Sequence, residues 1–277
     1  MAAQSIVDKV ICEFNSMRYG ISEPLFLAIV RQLNKGFYSI SPDEPLISVY
    51  APTYNRADLL LERAVKSVLA QTYKNFELII VGDCCTDDTE DRVLGIKDAR
   101  IRFYNIKNRS CRYPPTVENH WLAGPVVAAN RALSMVKGKW IARIDDDDIW
   151  TPNHLERLLA FAQKNNYEFV SSSYVSQRDG KEVVIDLKDQ SPRIGGTQTW
   201  LYRAYLKFMK YNINCFRKAW NRVNDTDLQD RLFKSGVRMG FLDAVTCYVL
   251  PRPDETTIGL EAYKRSKEEK LRHFEFE

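Results

Sequence analysis

Residues 76–81 read FELIIV, and a run so nearly apolar on both sides of its pleat leaves no face for water. Such a segment is a strand covered on both faces, the condition of a parallel sheet flanked by helices. The chain around it repeats the theme. Residues 46–51 form another short apolar strand, and the helix after it carries Leu61, Val65, Val68 and Leu69 on one stripe. Further strands are expected at 101–104, 140–144 and 168–174, with helices at 87–94, 126–136 and 152–163. Strands separated by single helices build right-handed βαβ units, so the expected fold class is α/β with a Rossmann-like, mostly parallel sheet flanked by helices. Beyond residue 174 the alternation lapses into an irregular region. An outer strand at 182–185, an aromatic and basic helix at 200–210 and a helix at 228–234 closed by Gly236 are expected there, then a charged surface helix at 263–273. Residues 1–45 stand apart: two helices, 5–17 and 23–34, are joined by Tyr19-Gly20-Ile21-Ser22 and followed by a proline-bounded linker.

Four consecutive carboxylates, Asp145, Asp146, Asp147 and Asp148, follow the strand at 140–144. Adjacent carboxylates raise one another's pKa unless a cation or many donors neutralise them. Ligands of open α/β sheets gather beyond the carboxyl ends of the strands. A hard divalent ion, Mn2+ or Mg2+, bridging these oxygens to a diphosphate satisfies both conditions. A solvated acidic turn before the next helix is the plainer alternative. Asp83 ends the strand at 76–81, where a carboxylate can accept from a base or ribose. Pro52, Thr53, Tyr54, Asn55 and Arg56 follow the first strand, with Tyr54 offering a ring for stacking and Arg56 a cation for phosphate. All three segments follow parallel strands and therefore converge on one edge of the sheet. GxGxxG and GxxxxGK[ST] are both absent, which excludes the usual dehydrogenase and P-loop ATPase fingerprints.

The stretch SVYAPTYNRADLLLERAVKSVLAQTYKNFELIIVGDCCTDDTE resembles the opening of family 2 glycosyltransferases of the GT-A fold, and GPVVAANRALSMVKGKWIARIDDDDIWTPNHLE resembles their middle segment. The resemblance spans residues 46–242 and is strongest up to 174. It implies that Pro52, Thr53 and Tyr54 form the first nucleotide-contacting loop and that Asp83 reads the base. Asp145 and Asp147 match the DxD pattern, with Asp147 the direct metal ligand and Asp146 or Asp148 at ribose or donor sugar. Asn130 and Arg131 match the end of an A-R-N stretch, but Ala129 stands where relatives carry arginine, so Arg131 is the remaining candidate for a phosphate or sugar contact. Counting back from Arg231-Leu232 places the family's Glu-Asp pair on Asn224-Asp225. Asp225 is then the catalytic base, with Asp227 the rival and a helix N-cap the structural alternative.

The resemblance thus implies an inverting transfer of one sugar from a nucleoside-diphosphate sugar, a UDP-sugar favoured, to a hydroxyl of a saccharide or lipid-linked glycan. The QxxRW motif and membrane spans of processive relatives are absent. It divides the chain into a helical extension and linker (1–45), a nucleotide-sugar-binding half (46–150), an acceptor-binding and catalytic half (151–252) and a terminal loop with surface helix (253–277). A catalytically impaired nucleotide-sugar-binding module, favoured by Asn224 and Ala129, and a nucleotidyltransferase are the competing readings.

Lys+Arg 40 against Asp+Glu 36 leaves a formal charge of +4, too small an excess for a nucleic-acid partner. No apolar run approaches the roughly 18 residues of a span and no secretory signal is evident, so a cytoplasmic enzyme is expected, with peripheral membrane contact and homo-oligomerisation through the N-terminal extension left open. Cys12, Cys84, Cys85, Cys111, Cys215 and Cys247 fit no zinc spacing and read as free thiols. His154 reads as a packing residue. Trp121, Trp140, Trp150 and Trp200 are mostly core, and Asp254 or Glu255 on a late loop could complete a metal shell.

Overall fold

The computed structural model describes residues 5–36, 44–108, 113–114, 116–217, 223–253 and 255. Four parallel strands form its first half: β1 (Ile47–Thr53), β2 (Phe76–Gly82), β3 (Ile101–Asn105) and β4 (Trp140–Arg143), in the order β3-β2-β1-β4. The FELIIV run is fully buried as expected. Ile79 and Val81 enter one core cluster with Tyr50 and Ile141, while Leu78 and Ile80 enter another with Val49 and Ala51. Its one charge, Glu77, is neutralised by Arg102 at 2.7 Å and accepts from Ser48 at 2.6 Å. Those bonds and the N–H of Lys137 outweigh burial and hold the Glu77 carboxyl below its ordinary range.

The helix after β1 is interrupted. α2 (Ala57–Leu59) passes through a π-helical turn (Leu60–Val65) into α3 (Lys66–Leu69). A π turn adds a residue per turn and rotates the buried face. Leu60, Ala64, Val65 and Val68 are buried, whereas Leu61 and Leu69 of the anticipated stripe are only partly covered. α4 (Thr89–Leu94) and α5 (Val117–Ala123) follow, then α6 (Val126–Met135), whose Ala128, Ala129, Ala132 and Leu133 lie against the sheet. Three alanines on one face let this helix approach closely.

The second half of the sheet is mixed, and the order continues from β4 through β8 (Leu201–Arg203), β6 (Phe169–Arg178), β9 (Met239–Val249) and β5 (Asp148–Trp150). β5 (Asp148–Trp150) precedes α7 (His154–Lys164), β6 (Phe169–Arg178) and the outer β7 (Lys181–Ile185). The helix expected at 200–210 is instead β8 (Leu201–Arg203), antiparallel to β4 and β6, followed by a 3-10 turn (Ala204–Phe208). Its aromatics serve the core: Trp200 donates through Nε1 to the Gly195 carbonyl at 2.7 Å, and Tyr202 stacks on Phe169. After α8 (Asn224–Lys234), the left-handed Gly236 (φ +82°) turns the chain into β9 (Met239–Val249). β9 was not anticipated. MGFLDAVTCYV lacks clean alternation, and its pairing with β6 is interrupted by register shifts.

α1 (Ile6–Leu33) corrects the expected helical pair, because it is continuous through Gly20 and Pro24. Proline removes one amide donor from the helix. Anchors beyond that point hold the halves in line: Glu23 pairs with Arg231, Leu27 is buried, and Arg31 donates to Glu168 at 2.7 Å. Part of the linker and the helix expected at 263–273 lie outside the described residues, as does Asp254. Cys84, Cys85, Cys215 and Cys247 are free thiols. No helix among the described residues is long and apolar enough to cross a membrane.

Candidate active site

The carboxyl ends of β1, β2 and β4, the start of α8 and the segment after β9 enclose a cavity of about 750 Å³. Two backbone devices shape its donor side. Asn55 adopts a left-handed conformation (φ 49°), which asparagine tolerates, and its side-chain oxygen accepts from the Thr86 N–H at 2.8 Å. That bond ties the loop after β1 to the loop after β2. Gly82 sits where a Cβ would meet Asn105 Oδ1 at 2.7 Å, so a side chain there would push the Asn105 amide off the Cys85 backbone it bonds. Pro52, Thr53, Tyr54, Arg56 and Asp83 all line the cavity, Asp83 almost fully buried. Pro52 and Thr53 belong to β1 itself, paired with Val81 and Gly82.

The four aspartates separate. Asp145, Asp146 and Asp147 line the cavity; Asp148 does not. Asp148 is buried as the first residue of β5, outside the donor contact expected of it. Burial, reinforced by the other three carboxylates, pushes it well above the ordinary aspartate range. Asp146 accepts from Thr53 Oγ1 at 2.8 Å and from Arg56 at 2.9 Å, so both oxygens lock the β1 end to the acidic turn. Burial alone would raise Asp147, but Arg252 and Arg56 outweigh it and hold this carboxyl below its usual range. Arg252 Nε lies 2.8 Å and Arg56 Nη1 3.6 Å from Asp147 Oδ2.

The carboxylate-rich set suits a hard divalent ion, which takes one or two protein carboxylates and completes its shell with phosphate and water. Among the described residues no three His, Cys, Asp or Glu side chains form a cluster that could hold an ion by themselves. Glu255 faces Arg252 at 3.4 Å.

Asp225 faces the same cavity from the first turn of α8. Burial raises its pKa; Arg143 pulls the other way and Asp145 adds to the rise, so the β4 end and α8 sense each other across the cavity. Asp227, the rival, is buried away from the cavity and engaged with Arg231 at 2.8 Å. The N-cap of α8 is Val223, without a side-chain cap, so neither Asn224 nor Asp225 fills that structural role. Asn130 and Arg131 do not reach the cavity. Asn130 exchanges hydrogen bonds with the Tyr211 backbone at 2.9 and 3.0 Å, and Arg131 lies over the Tyr104 ring on the outer face.

Several lining residues lie outside the motifs. Arg143 is buried, donates to Asp145 Oδ1 at 2.8 Å, and keeps its Nη1 without a hydrogen-bond partner among the described residues. The available signal is a lone arginine in the apolar strand WIARI. Asn224 Oδ1 is likewise buried and unpartnered, while Nδ2 donates to the Leu122 carbonyl at 3.0 Å. Of the four tryptophans considered, only Trp121 lines the cavity, with His120 beside it. His154 is a packing residue, stacked on Trp150 at 4.0 Å and held by burial at a pKa of about 3.

A family model described as Glycosyl transferase family 2 matches residues 48–228. The chain is 35% identical over 251 residues to TuaG of Bacillus subtilis (strain 168), a glycosyltransferase whose name refers to teichuronic acid biosynthesis; 74% of this chain and 94% of TuaG are covered. It is 35% identical over 170 residues to WfaP of Escherichia coli, named UDP-Glc:alpha-D-GlcNAc-diphosphoundecaprenol beta-1,3-glucosyltransferase, covering 61% and 58%. The alignment with the glycosyl transferase WcaA of Escherichia coli (strain K12), whose name refers to colanic acid biosynthesis, is 40% identical but spans only 44% of this chain and 39% of that protein's length. Among solved structures, Staphylococcus aureus TarS in complex with UDP-GlcNAc superposes with a TM-score of 0.59 at 19% identity, covering 76% of this chain and 60% of that one. The mannosyltransferase PcManGT from Pyrobaculum calidifontis, in complex with GDP-Man and Mn2+, gives 0.56 at 17% identity, covering 89% and 69%.

Proposed function

Since the chain belongs to glycosyl transferase family 2 and has the fold of GT-A-type transferases, we propose that it moves one sugar from a nucleoside-diphosphate sugar to a hydroxyl of a lipid-linked or free saccharide, inverting the anomeric centre. The observation that carries this reading is the single cavity that joins the β1, β2 and β4 ends to Asp225 on α8. UDP-sugar is the favoured donor and a diphospholipid-linked glycan the favoured acceptor, since WfaP is named for both.

In this reading Tyr54 and Asp83 hold the nucleoside, and Arg56 and Arg252 lie where the diphosphate gathers charge. Asp147, with Asp145 beside it, would hold Mn2+ or Mg2+, which when bound offsets that charge. Asp225 takes the proton of the acceptor hydroxyl; the oxygen forms a bond to the anomeric carbon as the bond to the diphosphate breaks on the opposite face. Proton transfer is late, because the hydroxyl becomes acidic only as the new bond forms. Arg143 and Asn224 line the cavity with Asp225, and the Arg143 cation opposes the rise of its pKa. Transfer from a panel of UDP-, GDP- and dTDP-sugars to a polyprenyl-diphosphate sugar tests the reading, and formation of a nucleotidyl product or no transfer from any donor contradicts it.

Two predictions arise at this site. Asp147→Ala weakens metal-dependent binding of nucleoside diphosphate by about tenfold or more, measured by titration calorimetry with and without Mn2+. Equal affinity of the wild-type protein with and without the ion rejects the metal role. The second concerns pH. A base works only when deprotonated, and burial raises the Asp225 pKa. The acid limb of kcat/KM therefore lies above the ordinary aspartate value of about 3.9. Arg143→Met removes the cation that lowers this pKa and moves the limb to still higher pH. An unmoved limb removes Arg143 from the electrostatics of the base.

A further inference from the structure

α1 is apolar on two opposite sides. One side is docked on the protein through Cys12, Glu23 and Leu27. The other carries Ile6, Val10, Phe14, Met17, Ile21 and Leu25, each between 58% and 81% exposed. Of the fifteen large exposed apolar side chains among the described residues, ten lie on this helix, and Ile6, Val7, Val10, Phe14, Met17, Ile21 and Leu25 share one face of it. A helix apolar on both sides is normally covered on both. These seven side chains, each more than half exposed, present on the order of 800 Å², above the largest patch of an ordinary monomer and comparable to the ~800 Å² per partner of a stable interface.

Spacing and charge identify the occupant. Val7, Val10, Phe14, Met17 and Ile21 recur at alternating three and four residues, the pattern that seats one helix against another. Asp8 pairs with Arg217, Glu23 with Arg231 and Arg31 with Glu168. The helix therefore turns much of its charge inward, and the outward Lys9, Glu13 and Arg18 form no basic belt for anionic headgroups. A nearly neutral apolar stripe is also self-complementary, as a two-fold interface requires. We propose that this face binds a second copy of the chain, α1 against α1, in a symmetric dimer.

Sedimentation velocity of the full chain, from low to tens of micromolar, tests the proposal. The wild-type protein sediments as a dimer. The double variant Phe14→Glu/Ile21→Glu sediments as a monomer, its dissociation constant raised at least about a hundredfold, with unchanged helix content. Should the glutamates disturb folding, Val10→Ser/Phe14→Ser gives the same readout with smaller side chains, and Met17→Leu retains the dimer. A monomeric wild-type protein throughout the series overturns the proposal, as does a folded double variant that still dimerises. Co-flotation of a monomeric wild-type chain with phosphatidylcholine or phosphatidylglycerol vesicles reassigns the face to a membrane and equally overturns it.

Discussion

Asp225→Asn lowers turnover by about 10²- to 10⁴-fold while leaving the affinity for nucleoside diphosphate and nucleotide-sugar unchanged. The asymmetry follows from position. Asp225 projects from the first turn of α8, whereas the proposed donor contacts come from the β1, β2 and β4 ends across the cavity. Asparagine preserves the size of the side chain and can still accept a hydrogen bond, but it cannot take the acceptor's proton. Titration calorimetry with nucleoside diphosphate, paired with a transfer assay, separates the two effects. Asp227→Asn is the control, since that carboxylate faces Arg231 rather than the cavity; its catalytic rate should stay near wild type in folded protein. Near-normal turnover of Asp225→Asn, or a collapse confined to Asp227→Asn, would falsify the base assignment.

The largest stability effect is expected from Arg231→Met, which destabilises the protein by ~3–5 kcal/mol at neutral pH. Arg231 is buried between Asp227 of α8 and Glu23 of α1, and lies over the Tyr19 ring at 4.5 Å. Methionine fills similar volume yet leaves two carboxylates without their cation, Glu23 at 5% and Asp227 at 4% exposure. Glu23 already sits above its ordinary pKa, because burial outweighs the pull of Arg231. Losing the cation raises that folded-state pKa further. A carboxyl raised in the folded state binds more protons there than when unfolded, so stability falls as pH rises through the window between the two values. The deficit of Arg231→Met in urea unfolding should therefore shrink as pH falls. Adding Glu23→Gln should recover part of it at neutral pH. A pH-independent loss below about 1 kcal/mol contradicts a desolvated ion pair and fits surface pairing instead.

Much of the parallel half was legible because its signals are local. FELIIV needs no partner to be read as a strand buried on both faces, and its alternation assigns Leu78 and Ile80 to one core and Ile79 and Val81 to the other. The cavity-lining positions of Thr53, Tyr54, Asp83 and Asp145 follow from the same rule, since each ends or directly follows a strand of that half. Asp225 was reachable only through a spaced motif, and the structure separates it from Asp227 by helical geometry: two residues apart on a helix point in different directions.

Other features depended on partners distant in sequence. Asp148 looks equivalent to its neighbours in the run, but pairing with Val249 draws it into β5 and away from the cavity. Asn130 looks like a ligand contact until Tyr211, far along the chain, occupies its amide. Residues 200–210 carry a composition that suits an amphipathic helix, and only the seats offered by β4 and β6 make a strand of their start. The two halves expected of α1 become one helix because Glu23, Leu27 and Arg31 find long-range anchors. Local pattern decides which segments must be buried and which residues can do chemistry. Which of those residues share a cavity is decided by pairings across the chain, whose energies exist only once distant segments have met.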